Sequence, residues 1–187
     1  MHRLEQRWDQ RTTGLEPMAV QASIDIACPP QEVWDFLLTP ESAVLIGTGV
    51  LRAFRVPGTP VGVAGDQHCI VSDIGGRLEI HMAEVVEAEA PHRIVTRWPT
   101  IQTGVFSIST LTPTETGTRY TDRFEMHVAK GAGKNAQPEA LKAMTDSQLR
   151  LKACVEAGTH FPSPTVQDSP PMHSMIADPI RASDSAP

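Results

Sequence analysis

The chain has 187 residues, enough for one domain with extensions, and carries a formal net charge of −6. An acidic chain lacks the basic surface that nucleic acids and anionic membranes require, so neither is expected as its main partner. No stretch reaches the ~18 apolar residues of a membrane span, and the first residues contain no apolar core of a secretory signal. We therefore expect a cytoplasmic protein without integral membrane association.

The three cysteines, Cys28, Cys69 and Cys154, are far apart and odd in number. They fit neither a disulfide framework nor a CxxC metal motif. We interpret them as small buried side chains in a reducing compartment.

Residues 1–17 are polar and charged, and we predict an N-terminal arm there. Apolar residues alternate with polar ones over Val20–Ile26, which predicts the first strand of a domain spanning 18–157. Pro30 suits the first turn of a helix, and Thr39-Pro40 stops that helix because the residue before proline avoids the α region. A second short helix is predicted to end near Ile46.

The next section predicts an antiparallel meander, because strand-like runs alternate with glycine and proline turns. Gly75-Gly76 is a two-residue hairpin turn, and counting back from it places Asp73 opposite Leu78 and His68 near Met82 or Ala83. The predicted strands are Val50–Val56, Asp66–Ile74, Arg77–Glu87, Arg93–Trp98, Val105–Leu111 and Thr118–Val128.

A long helix is predicted to begin at Pro138 and to end at Ala157, just before Gly158. One face carries Leu141, Met144, Gln148, Leu151 and Val155 at three- and four-residue intervals. Residues 158–187 are rich in proline and serine and poor in apolar residues, so we predict a disordered tail.

The order of these elements resembles the START-like (SRPBCC, helix-grip) superfamily, and in particular its polyketide cyclase/dehydrase and lipid-transport branch. The resemblance covers about residues 18–157 and is carried by Ser23–Glu41, Val85–Trp98, Leu111–Met126 and the closing helix. It implies an α+β helix-grip fold, in which a curved antiparallel sheet wraps around a long C-terminal helix, with two short helices after the first strand. It also implies an internal hydrophobic cavity.

Three functions remain open at this point. The resemblance implies binding of a hydrophobic small molecule such as a lipid or polyketide, by a monomer or homodimer. A polyketide cyclase, aromatase or dehydratase with a His and an acid in the cavity is the first alternative. A protein-interaction module is the second. The fold alone does not choose between them.

Glu79 and His81 are the first catalytic candidates. Two apart on a strand, they share one face about 6–7 Å apart, so Glu79 is able to orient the imidazole of His81 for general acid–base work. Leu78, Ile80 and Met82 on the opposite face make that face the expected core face, which favours a solvent-exposed pair instead.

Asp122 is the third catalytic candidate, because it shares a strand face with Tyr120, Phe124 and Met126. A carboxylate on an apolar face must be paired, protonated or exposed at a rim, so it is either a cavity acid or a satisfied structural acid. Tyr120, Phe124 and, from the helix, Met144 are candidate ligand-binding residues.

Trp98 and His68 complete the ligand-binding candidates. Trp98 is a candidate cavity wall, with core packing as the alternative. His68 is expected near His81, and with Cys69 a metal site is conceivable, but the spacing matches no zinc pattern. We therefore expect neither a metal nor another cofactor.

Overall fold

The computed structural model describes residues 14–100 and 105–159. In these ranges the chain forms seven strands and three helices, and all the predicted elements are present. Most of the predicted N-terminal arm and of the predicted tail lies outside the described residues. The elements are β1 (Leu15–Ile26), α1 (Pro30–Leu38), α2 (Ser42–Ile46), β2 (Val50–Arg55), β3 (Gln67–Ile74), β4 (Arg77–Glu89), β5 (Arg93–Trp98), β6 (Val105–Thr114), β7 (Gly117–Ala129) and α3 (Gly133–Glu156).

The strands form one curved antiparallel sheet in the order β1-β7-β6-β5-β4-β3-β2. Short connections join consecutive strands from β3 to β7, a longer loop over 56–66 joins β2 to β3, and β1 pairs with β7. Helix α3 packs mainly on β1, and α2 packs on β2 and α3. This is the predicted α+β helix-grip arrangement.

The core lies between the concave face of the sheet and the helices. The apolar face of α1 contributes Val33, Trp34 and Phe36, which are all buried. Leu111 from β6 and Leu151 from α3 pack in the same cluster. The sheet and the closing helix are thus joined by one continuous apolar contact.

Helix α3 begins earlier than predicted, at Gly133, and Pro138 lies inside it rather than at its start. A proline near the start of a helix removes only one backbone hydrogen bond, and contacts with β1 compensate. The backbone N–H of Gly131 donates to Oε1 of Glu16, and Nε2 of Gln137 donates to the carbonyl of Ala19. The sequence contains no local signal for these long-range contacts.

Further side chains fasten α3 along β1. Nε2 of Gln148 donates to the carbonyl of Ala22 at 3.0 Å, and Nζ of Lys152 donates to the carbonyl of Asp25 at 2.6 Å. The backbone N–H of Ala27, just after β1, donates to Glu156 at 2.7 Å. Strand β1 is an edge of the sheet, so the helix supplies partners along a strand that has one neighbouring strand.

The β3–β4 hairpin has the predicted register. Gly75 and Gly76 both have positive φ, at 63° and 83°, and Oδ1 of Asp73 accepts a hydrogen bond from the N–H of Gly76. Asp73 pairs with Leu78, and His68 pairs with Ala83.

The prediction of which face of β4 lies in the core is wrong. Leu78 and Ile80 lie on the convex face and are 68% and 63% exposed. The opposite face continues into the buried Ala83 and Val85, so Glu79 and His81 point to the concave side. Alternation separates the two faces of a strand, but it does not say which one the rest of the fold covers.

Candidate functional site

A partly open cavity of about 270 Å³ lies between α3 and the concave face of the sheet. Strands β1 and β7 form its floor, α3 forms its roof, and the last residue of α2 closes one side. The lining residues are Val20, Ile46, Tyr120, Asp122, Phe124, Ala140, Ala143, Met144, Ser147, Gln148 and Leu151.

The space exists because α3 presents small side chains to the sheet. Ala140, Ala143 and Ser147 recur at helical spacing and lie on the cavity side of α3. Opposite them, Val20 pairs with Phe124 across β1 and β7, so both side chains lie on the same face of the sheet. Alanine and serine leave a gap there that larger side chains would fill.

Three polar side chains meet on the sheet side of the cavity. Ser109 on β6 pairs with Asp122 on β7, and its Oγ lies 3.2 Å from Oδ1 of Asp122. The same Oγ lies 3.2 Å from the hydroxyl of Tyr120. We call Ser109, Tyr120 and Asp122 the polar cluster.

Burial dominates the ionisation of this cluster. Removal from water raises the pKa of Asp122 from 3.8 to about 6, against the hydrogen bonds from Ser109 and from the backbone N–H of Arg123. Burial also raises the pKa of Tyr120 well above its usual value, and the negative charge of Asp122 adds to that effect. Asp122 is therefore a carboxyl that gains or loses its proton near neutral pH, at the wall of a mostly apolar cavity.

Gln148 adds a polar group from the helix side. It is only 3% exposed, and its Nε2 donates to the carbonyl of Ala22. Its Oε1 has no partner among the described residues. The amide is thus held in one orientation, with its oxygen left as an acceptor.

The structure brings four of the eight predicted site residues together. Asp122, Tyr120, Phe124 and Met144 all line the cavity. The remaining four do not line it: Glu79, His81, His68 and Trp98.

Those four nevertheless lie on the same concave face. His68 pairs with Ala83, whose face of β4 also carries Glu79 and His81. The pairing of Glu84 with Arg97 places Trp98 beside Ala83. The pairs continue through β5 and β6 to Phe124, so the face that carries the cavity floor extends to these residues.

Glu79 and His81 are close, but Glu79 is held chiefly by another partner. Oε2 of Glu79 lies 3.5 Å from Nε2 of His81. A hydrogen bond from Arg77 is the main reason that the pKa of Glu79 is lowered, with the charge of His81 a smaller contribution. The pair is partly exposed and lies beside Ile70 and Ser72 of β3.

His68 is directed at a carboxylate that the sequence analysis did not single out. Its Nε2 lies 3.1 Å from Oδ1 of Asp66, which is 0% exposed. Asp66 also accepts hydrogen bonds from Nε of Arg55 at 2.9 Å and from the N–H of Gly62 at 2.7 Å. Burial opposes the charge of Asp66, but His68, Arg55 and Gly62 together outweigh it and lower the pKa to about 2.

Trp98 packs in a small apolar cluster rather than against the cavity. It contacts the buried group formed by Ala53, Ile70 and Ala83, and its Nε1 donates to Oγ of Ser107 at 3.4 Å. This corresponds to core packing, the alternative that its position in the sequence left open.

Two residues of the cavity region escaped the sequence analysis as functional groups. Ser109 becomes important only through its register with Asp122, which the sequence does not reveal. Gln148 could have been identified from the sequence, because it is a polar residue on the apolar face of the predicted helix. A polar side chain at such a position requires a partner, and here the partner is β1.

Residues 14–100 and 105–159 contain no group of three or more His, Cys, Asp or Glu side chains placed to hold a metal ion. All three cysteines are free thiols. Within the same ranges, no helix is both long and apolar enough to cross a membrane.

Comparison with solved structures supports the fold. A protein from Nitrosomonas europaea is similar with a TM-score of 0.61 and 17% identity, over 75% of this chain and 96% of that one. StfQ, a di-domain ARO/CYC from the steffimycin biosynthetic pathway, is similar with a TM-score of 0.62 and 13% identity, over 80% of this chain and 52% of that one. The di-domain ARO/CYC BexL is similar with a TM-score of 0.60 and 14% identity, over 78% of this chain and 51% of that one.

The search of curated proteins found no significant match. A family model described as polyketide cyclase/dehydrase and lipid transport matches residues 17–156, which is most of the chain and nearly all of the described fold. The chain therefore belongs to the polyketide cyclase/dehydrase and lipid transport family, within the START-like superfamily.

Proposed function

We propose that the protein binds a small hydrophobic molecule in the cavity between α3 and the sheet. The observation that carries this proposal is the lining itself, in which mostly apolar side chains surround a few polar groups. Such a composition is typical of small-molecule sites, where apolar contact supplies affinity and a few polar groups fix orientation.

The volume of the cavity limits the size of the ligand. At about 270 Å³ it lies just below the usual range of roughly 300–1,000 Å³ for ligand pockets. A compact molecule of one or two rings suits it better than a full-length lipid. Burial of apolar surface contributes about 25 cal/mol per Å², from which the cost of association must be subtracted.

A cavity-filling variant tests the proposal. Ala140→Phe places a ring in the cavity, whereas Ala153→Phe places the same ring on an exposed part of α3. Native mass spectrometry of freshly purified protein, followed by titration with naphthylmethanol, measures what each variant holds. We expect wild type and Ala153→Phe to bind and Ala140→Phe to bind at least about tenfold more weakly.

The result that would overturn the proposal is equal binding by all three proteins, or binding by none of them. Circular dichroism melting of each variant checks that Ala140→Phe is folded, so that lost binding reports the cavity.

A second candidate function, acid–base catalysis of the polyketide cyclase/dehydratase type, is favoured by one specific observation. A general acid or base works best when its pKa lies near the working pH, and Asp122 has a pKa of about 6 at the cavity wall. Asp122 is then the group that moves the proton. Glu79 and His81 take part only if the substrate extends along the concave face beyond the cavity.

Proton exchange tests the catalytic candidate without knowledge of the natural substrate. We expect wild-type protein to accelerate deuterium exchange at the methyl group of hydroxynaphthyl methyl ketone, as followed by NMR. Asp122→Asn should lower this rate by about 10²–10⁴-fold while binding persists. Unchanged exchange in Asp122→Asn, together with a loss in His81→Ala, would move the catalytic role to His81.

A further inference from the structure

When Asp122 is ionised its carboxylate can only accept, and this assigns the hydrogen atoms of the polar cluster. Ser109 donates its hydroxyl hydrogen to Oδ1 of Asp122 at 3.2 Å. A serine hydroxyl has one hydrogen to donate, so the hydroxyl of Tyr120, also 3.2 Å from Ser109, must be the donor in that contact. Both hydroxyl hydrogens are thereby used within the cluster.

What remains free toward the cavity is a set of acceptors. Asp122 has carboxylate lone pairs beyond the one that Ser109 occupies, and Tyr120 keeps an oxygen lone pair. Gln148 uses its NH₂ on Ala22 and keeps its oxygen. Ser147 is the remaining polar lining residue, and its hydroxyl is able to donate or accept.

Among the lining residues in the described part of the chain, Asp122 alone is charged near neutral pH. The lining residues from β1, β7, α2 and α3 contain no Lys, Arg, His or Glu, and Tyr120 is their only ionisable group besides Asp122. Tyr120 and Phe124 flank Asp122 on the same face of β7, and aromatic faces attract cations. A ligand with a negative charge would meet acceptors and a carboxylate without a compensating cation.

On the basis of the ligand cavity proposed above, we propose that this cavity selects compact apolar molecules that present a hydrogen-bond donor, an ammonium or a hydroxyl group, to Asp122. Carboxylates are excluded. The selection comes from this chain's own acceptors and from the absence of a basic side chain in the lining that the described residues form.

Three probes with one ring system and different head groups test the selection. Naphthylmethylamine, naphthylmethanol and naphthoate are titrated into the wild-type protein near pH 8, where Asp122 is ionised. We expect the amine and the alcohol each to bind at least about tenfold more tightly than naphthoate. Naphthoate binding as tightly as either of them would overturn the inference.

A head-group-free probe separates this inference from the proposed function. If methylnaphthalene binds and the three head groups bind equally, the cavity proposal stands and the donor selection is overturned. If neither methylnaphthalene nor any of the three probes binds, both proposals are overturned.

The role of Asp122 is tested with a matched pair of variants. Asp122→Asn keeps the shape and removes the charge, and we expect it to weaken amine binding by about tenfold or more while the alcohol changes by less than about threefold. Asp25→Asn removes an exposed carboxylate that pairs with Arg119 on the other face of the sheet, and should change neither. Equal amine affinity in wild type and Asp122→Asn would overturn the assignment.

The pH dependence distinguishes the two donor classes. At pH 5 a carboxyl with a pKa of about 6 is about one-tenth ionised, so amine affinity should fall about tenfold between pH 7 and pH 5. The alcohol should bind about equally at both values, because a protonated carboxyl still accepts. A pH-independent amine affinity would contradict contact with Asp122.

Discussion

Asp66 and Asp122 are both enclosed by the fold, yet the protein surrounds them in opposite ways. Asp66 is met by Arg55, by His68 and by the backbone N–H of Gly62, and its pKa falls to about 2. Asp122 receives a side-chain hydrogen bond from Ser109 and a backbone hydrogen bond from Arg123, and its pKa rises to about 6.

The difference separates a structural carboxylate from the one for which we propose a role in ligand binding. Arg55 also donates to the carbonyl of Leu38, so the Asp66 network ties α1 to β2 and to the loop before β3. Asp122 ties together only its immediate neighbours and faces a cavity. A buried charge with weak compensation lowers stability, which is a common property of binding and catalytic sites.

Removal of the Asp66 charge should have the largest effect. Asp66→Asn leaves the mostly buried guanidinium of Arg55 without its counter-charge, which costs about 3–5 kcal/mol of unfolding free energy. Urea unfolding at neutral pH measures this loss. Asp25→Asn is the control, because Asp25 and Arg119 form an exposed ion pair that is expected to contribute little.

The pH dependence of the Asp66 contribution has a definite sign. Because its pKa is lower in the folded state, its stabilising contribution is complete above pH 3.8 and is lost as the pH falls toward 2. Equal losses for Asp66→Asn and Asp25→Asn would contradict a structural role for this network.

Removal of the Asp122 charge should raise the free energy of unfolding, by less than removal of the Asp66 charge lowers it. A carboxyl whose pKa rises from 3.8 to about 6 on folding destabilises the native state at pH 7 by on the order of 3 kcal/mol. We expect Asp122→Asn to recover about 1–3 kcal/mol at pH 7, as measured by urea unfolding.

The two proteins should converge at low pH. The folded-state advantage of protonated Asp122 is complete below pH 3.8 and is lost as the pH rises through about 6. Wild type should therefore lose stability over that window relative to Asp122→Asn. A destabilised Asp122→Asn protein at pH 7 would mean that Asp122 belongs with Asp66 as a structural carboxylate.

Loss of the Ser109 hydroxyl should have the smallest effect. Ser109→Ala removes the side-chain hydrogen bond that favours the charged form of Asp122, so the pKa of Asp122 should rise beyond about 6. The stability change should be about 1 kcal/mol. Carbon-detected NMR titration of the Asp122 carboxyl measures its pKa directly.

Ser107→Ala is the matched control for Ser109→Ala. Ser107 lies on the same face of β6, but its oxygen contacts the indole of Trp98 rather than Asp122. An equal shift of the Asp122 titration in both variants would show that the cluster does not act through Ser109.

Local signals explain why so much of the fold could be predicted. The Gly75-Gly76 turn determines the β3–β4 register, and the prolines after β1 begin α1 where the structure has it. Asp122, Tyr120 and Phe124 were identifiable as candidates because a polar residue interrupts an apolar strand face. These are patterns within a single element or across a single turn.

The features that could not be predicted depend mostly on contacts between distant elements. The helices and the curvature of the sheet determine which face of β4 is buried. The apolar residues Leu78 and Ile80 therefore led to the wrong prediction of the core face. The separation of Glu79 and His81 from the cavity follows from how far α3 reaches across the sheet. His68 and Asp66 are the exception, because they lie two apart on one predicted strand, and that spacing indicates the contact that the structure shows.

In a protein that binds a ligand as proposed, the fastening of α3 along β1 would link ligand exchange to self-association. Gln137, Gln148 and Lys152 occupy backbone carbonyls of an edge strand, and a strand whose polar groups are released is a template for pairing with another chain. Any lifting of α3 that widens the entrance also uncovers that template. A molecule that keeps the helix seated would thus protect the protein from aggregation, and the empty form is the one in which we expect aggregation to begin.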